Sequence, residues 1–128
     1  MDNFLGVTTL NESKRLIELG MDVDTADFYY HSQRSSHDTE ITEVKIIYGK
    51  PQCEGDTPAW GLTSLLNFLF KTNDAVKIVK TDNEFYAVSS TYASSAYEFM
   101  PNAILELVIT KLSFDKDNIL NVKIKNYE

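Results

Sequence analysis

The chain is expected to fold as an α+β domain, with a small antiparallel sheet of about four to five strands in hairpins packed against about three helices. Three observations predict this. Helical periodicity with end signals recurs in three places, 9–19, 57–70 and 102–112. Strand-like runs come in pairs joined by turn residues. The 128 residues, 43% hydrophobic and 24% charged, suit a single domain over 1–128 that needs no disulfide or metal staple.

The first helix candidate opens at Thr9, whose hydroxyl suits the free amides, with Glu12 three residues on to complete a capping box. It ends at Leu19, where Gly20 supplies the left-handed residue and Met21 falls back on Leu16. Leu10, Leu16 and Ile17 face inward. A turn-rich connection holding Asp22, Asp24 and Asp27 comes next. Phe28-Tyr29-Tyr30-His31 has strand composition, and residues 33–40 (QRSSHDTE) read as an exposed loop. Residues 41–48 form a second strand with Val44, Ile46 and Tyr48 on one face. The two strands make a long-looped hairpin, ended by Gly49-Lys50-Pro51.

The sharpest element is a helix expected to open at Asp56-Thr57-Pro58-Ala59-Trp60. Thr57 is its cap, and Pro58 takes the first position, where a missing N–H costs nothing. Leu62, Leu65, Leu66 and Leu69 fall at i, i+3, i+4 and i+7. Trp60 lies opposite that stripe, and Phe68 and Phe70 widen it on two sides. A helix apolar nearly all round is either buried on several sides or offers a second apolar surface to a partner, and both readings stand for Trp60.

A hairpin comes after it, 75–81 and 84–90 about Asp82-Asn83. Val76 and Ile78 share one face with Phe85 and Ala87. Val79, Tyr86 and Val88 share the other with Lys77 and Glu84. Residues 91–100 (TYASSAYEFM) connect to a third helix begun by Pro101-Asn102, with Ile104, Leu105, Val108 and Leu112 inward. Asp115-Lys116-Asp117-Asn118 reads as a turn. Beyond it Leu120, Val122 and Ile124 alternate with polar residues as a strand, in a tail peripheral from about residue 114 that pairs with its own sheet or a neighbouring subunit.

Twelve Lys+Arg against nineteen Asp+Glu give a net charge of −7. That argues against binding to nucleic-acid phosphate or anionic membranes, which need clustered cations. No apolar run approaches the ~20 residues that cross a bilayer. Met1-Asp2-Asn3-Phe4 lacks the basic and apolar regions of a signal peptide. With one cysteine, Cys53, no intramolecular disulfide forms, and a cytoplasmic protein is expected.

Residues with the means to carry chemistry are few. His31 and His37, with Asp38 and Glu40 nearby, are the candidate metal ligands, since imidazole and carboxylate suit zinc or manganese. Their spacing matches no established ligand motif. A reactive Cys53 would need the fold to bring a group such as His31 beside it. The aspartates 22, 24 and 27 lack the glycine and closing glutamate of a calcium loop. No nucleophile elbow or phosphate loop is present, and nothing calls for a cofactor. The candidate interface or pocket residues are aromatic: Trp60, Phe68, Tyr86 and Tyr29.

Three segments, SKRLIELGMD (13–22), TADFYY (25–30) and TPAWGLTSLL (57–66), occur in an order that resembles a group of small uncharacterised proteins of prophages and mobile elements of gut bacteria. That group shares a helix ending in L-x-x-G, a TADM/F segment, a P-A/C-W-S-L-x-x-L-L helix, a hairpin and a final apolar helix. Gly61 departs from the pattern, where serine is usual, and so does the strand-like tail. The resemblance implies a setting, an accessory protein inside a bacterial host cell, and no catalytic residue.

The leading expectation is therefore a non-enzymatic protein acting through protein–protein contact or self-association. The alternatives are a small metal-dependent or hydrolytic enzyme using His31 and His37, and a small-molecule-binding domain lined by Trp60 and tyrosines. An acidic mimic of nucleic acid would need carboxylates arrayed on one face, and here they are spread evenly along the chain.

Overall fold

In the computed structural model, which describes residues 6–34, 41–71, 75–90 and 92–126, nine elements succeed one another. They are α1 (Leu10–Glu18), a 3-10 turn (Val23–Thr25), β1 (Phe28–Arg34), β2 (Ile41–Tyr48), β3 (Thr57–Ala59), α2 (Leu62–Lys71), β4 (Lys77–Thr81), β5 (Glu84–Val88) and α3 (Met100–Asn126). The expected α+β class holds. The five strands are divided between two antiparallel sheets, ordered β2-β1-β3 and β4-β5. Of the loop expected over 33–40, Gln33 and Arg34 instead continue β1, paired with β2, and the rest, His37 with it, lies outside the described residues.

Helix α1 is as the sequence predicts. Thr9 Oγ1 accepts the Glu12 amide at 3.2 Å. At the other end Gly20 (φ +95°) lets the Met21 amide reach back to the Leu16 carbonyl at 2.9 Å, which closes the helix and buries Met21.

The start of α2 is a correction. Thr57 and Pro58 do not begin a helix. They form β3, pairing Phe28 with Ala59, Tyr29 with Pro58 and Tyr30 with Thr57. A proline with fixed φ and no N–H suits the first turn of a helix, and it equally suits an edge strand, which β3 is. The helix begins at Leu62, and its cap comes from far along the chain: Asp27 Oδ1 accepts the Gly61 amide at 2.8 Å. The leucine stripe holds, with Leu65 and Leu69 buried and Leu62 and Leu66 packed against the core.

The end of α3 is the second correction. The predicted turn at 115–118 and strand over 120–125 are instead a continuation of the helix, expected at 102–112, through to Asn126. No glycine or proline interrupts residues 102–126, and extending a formed helix costs far less than starting a new element. Lys111 and Asp115, one turn apart and 3.7 Å from each other, pair along the helix up to the first residue of the expected turn. The inward residues are as predicted: Ile104, Leu105, Val108 and Leu112 are buried, together with Ala103 and Leu107.

In the second sheet the two-residue turn at Asp82-Asn83 is confirmed, with Asp82 at φ +43° and Thr81 opposite Glu84. The far edge of β5 is covered by the connection 92–97. Phe85 and Tyr97 exchange two backbone hydrogen bonds, the Ser94 amide donates to the Ala87 carbonyl, and Ser94 Oγ accepts the Ala87 amide. Helix α3 packs on β5 and on α2, so the core lies among α1, α2, α3 and Ala87. Among the described residues, no buried side-chain nitrogen or oxygen lacks a hydrogen-bond partner.

Candidate functional site

Strand β1 is the central strand of the first sheet, and its two sides differ. On the β3 side stands Trp60, fully buried. Its indole Nε1 donates to Thr25 Oγ1 at 2.9 Å, and the Thr25 hydroxyl donates to the Asp22 carbonyl. Its amide donates to Thr8 Oγ1 at 3.0 Å, and its carbonyl accepts the Thr8 amide. Ser13 Oγ donates to the Thr9 carbonyl and lies 2.7 Å from Thr8 Oγ1. Since each hydroxyl has one proton, Thr8 must donate to Ser13, which gives a one-way chain from Trp60 through Thr8 and Ser13 to Thr9. The TADFYY and TPAWGL segments therefore lock into each other, through Thr25 to Trp60 and Asp27 to Gly61. An added Cβ at Gly61 would sit 3.0 Å from both Asp27 Oδ2 and Phe28 Cε2, so the contact leaves little room for a side chain.

On the β2 side the strand is an edge, with β1 on one flank and no strand of the described residues on the other. Val44, Ile46 and Tyr48 alternate onto one face, as predicted, and that face is left partly open. They are 44%, 46% and 78% exposed. Phe28 stands opposite Tyr48 in the register, and the two rings meet edge to face at 5.3 Å. Tyr30, opposite Ile46, donates its hydroxyl to the Thr8 carbonyl at 2.7 Å.

The β1–β3 register also makes a polar cluster. One residue beyond Tyr30 and Thr57, where the ladder ends, His31 Nδ1 lies 2.8 Å from Asp56 Oδ1. Cys53 to Asp56 is a tight turn in which the Asp56 amide donates to the Cys53 carbonyl and Gly55 takes the positive φ the turn requires (+92°). Asp56 Oδ2 accepts the amides of Gln52 and Cys53 at 3.1 and 3.0 Å. The His31 hydrogen bond holds the Asp56 carboxyl below its ordinary value, with the two amides assisting and burial opposing. A ring nitrogen of His31, the exposed Cys53 thiol and an Asp56 oxygen all lie within 4.8 Å of one another.

The sequence-based candidates are thus dispersed. Trp60 and Tyr29 are buried, and Phe68 is packed against the core. Tyr86, opposite Val79 on β5, is half-buried. His31 meets Asp56 and Cys53. The exposed apolar row on β2 is legible as a strand face, but sequence alone does not tell a covered face from an open one. The signal for the polar cluster is the C-x-G-D turn, whose opposite strand residue only the register supplies. The surface clefts include an open groove between α1 and α3 lined by Glu12, Arg15, Glu106, Ile109, Thr110 and Ser113. No described helix is long and apolar enough to cross a membrane. Comparison of the chain with protein-family models, curated proteins and solved structures finds no match.

Proposed function

We propose that this protein works through protein–protein contact, and that its contact surface is the open edge and apolar face of β2, joined by a second copy of the same chain. The observation that carries this reading is the exposed row of Val44, Ile46 and Tyr48 on an edge strand. Folded proteins usually protect such edges, and an edge left both apolar and unpaired is a template for another strand.

A second copy fits the strand's own pattern. Two β2 strands running antiparallel about a twofold axis at Ile46 oppose Val44 with Tyr48 and Lys45 with Ile47. No lysine then faces its own copy, the apolar row continues unbroken, and the two three-stranded sheets become one of six. Burying the remaining exposed surface of three side chains is worth about 1–2 kcal/mol each, and each added backbone hydrogen bond about 1 kcal/mol net. Against an association cost of roughly 4–15 kcal/mol, this supports a reversible dimer with a Kd on the order of 10–100 µM rather than an obligate one. The likeness of the TADFYY and TPAWGL segments to phage and mobile-element proteins supports a setting inside a bacterial host.

Hydrogen exchange tests the surface directly. The β2 amides not bonded to β1 are expected to gain protection as protein concentration rises through that range. Protection that stays constant with concentration counts against the dimer and leaves the edge to a different protein partner.

A further inference from the structure

We infer that His31, Cys53 and Asp56 form a zinc-binding site at the open end of the β1–β3 ladder. An imidazole, a thiolate and a carboxylate are the three ligand types zinc takes, and three protein ligands with a fourth position left to water is its usual open arrangement.

The geometry is close to what the metal needs. The three donor atoms lie within 4.8 Å of one another, and the His31–Asp56 pair is at 2.8 Å. Donors bound to one zinc at about 2.0–2.3 Å stand roughly 3–4 Å apart, so the His31–Asp56 hydrogen bond opens slightly to admit the ion and Cys53 closes in. That residue is exposed and can turn its thiol inward. Asp56 is held for the role: Oδ2 is fixed by the amides of Gln52 and Cys53, and Oδ1, which is bonded to His31 Nδ1, exchanges that hydrogen bond for the metal. Such outer hydrogen bonds are what keep a ligand carboxylate oriented. His31 is carried on β1, paired there with Lys45 of β2, and Cys53 and Asp56 on one tight turn, so two pieces of backbone supply all three ligands. Thiolate and carboxylate together balance the charge of Zn²⁺. On binding, the thiol releases one proton as the Zn–S bond forms, and the ring proton that bridges Nδ1 to Asp56 moves to Nε2 so that Nδ1 can ligate. Cys53 is the only cysteine of the chain, so no intramolecular disulfide competes for it.

This site is separate from the β2 surface and stands or falls without it. Calorimetric titration of the metal-free protein with Zn²⁺, and optical titration with Co²⁺ as a spectroscopic substitute, test it. The expected result is one ion per chain, with a thiolate-to-cobalt charge-transfer band. Cys53→Ser, an exposed change that leaves the His31–Asp56 bond in place, should remove the band and weaken zinc binding on the order of 100-fold while thermal stability without metal is unchanged. His31→Gln should weaken binding comparably. Zinc bound equally by the native protein and Cys53→Ser, or a cobalt complex without the thiolate band, overturns the site.

Discussion

The two flanks of β1 are finished in opposite ways. Toward β3, polar and apolar groups alike are closed in: Trp60 is at zero exposure and its indole, amide and carbonyl all have partners. Toward β2, an apolar row of three large side chains stands open, with Tyr48 at 78% exposure. Both β2 and β3 are sheet edges. The difference lies in where the chain goes after each strand. β3 runs directly into α2 and under residues 8–13, whereas β2 leads away into the Gly49-to-Asp56 turns. Among the described residues every buried side-chain polar atom has a partner while the β2 face stays open, and the dimer proposed above accounts for that difference.

That contrast can be broken from either flank. The largest effect is expected at Trp60. Trp60→Ala removes the biggest buried side chain and the donor to Thr25 Oγ1, and should cost about 3–5 kcal/mol in urea unfolding, a large share of the ~5–15 kcal/mol of an ordinary domain. Next is Gly61→Ala, whose new methyl meets Asp27 and Phe28 at 3.0 Å and should cost about 1–3 kcal/mol by the same measurement. A cost below that range would mean Asp27 yields easily and the cap is softer than its geometry implies.

Tyr30→Phe is expected to cost about 1 kcal/mol, since it leaves the Thr8 carbonyl without its donor. It should also change the alkaline limb of stability. Burial raises the Tyr30 phenol above its ordinary value, so the folded state holds that proton more tightly than the unfolded one. The contribution is fully present below pH ~10 and is lost as pH rises through the folded value. The gap between native and Tyr30→Phe proteins should therefore narrow at high pH, and a constant gap would show that the phenol is not closed in. Smallest of all is Ile46→Lys, expected to alter monomer stability by less than about 0.5 kcal/mol because the side chain is already half in solvent.

How much of this is legible in the sequence depends on distance along the chain. Thr9, Gly20 and Met21 act on residues within five positions, and α1 can be read almost residue by residue. Asp82-Asn83 does the same for its hairpin. Pro58 misleads because its local chemistry permits two structures, and the choice is made by Asp27 and β1, about thirty residues upstream. The α3 extension is hidden because the alternation of Leu120, Val122 and Ile124 mimics a strand, yet so short a pattern is weaker evidence than the absence of any helix breaker before it. Trp60's position off the leucine stripe, puzzling on a helix, resolves once residue 60 lies ahead of α2. The His31–Asp56–Cys53 cluster is out of reach for the same reason as the cap: a register, not a motif, brings it together.

Whether the open β2 edge pairs with its own copy is decided by sedimentation equilibrium of the native chain and Ile46→Lys from roughly 1 to 300 µM, a span that brackets the expected Kd. A kept-open edge predicts a reversible monomer–dimer equilibrium for the native chain and a monomer throughout for Ile46→Lys, with both unfolding at nearly the same urea concentration when dilute. A native chain that stays monomeric across the whole range, or a dimer that Ile46→Lys leaves intact, would contradict it.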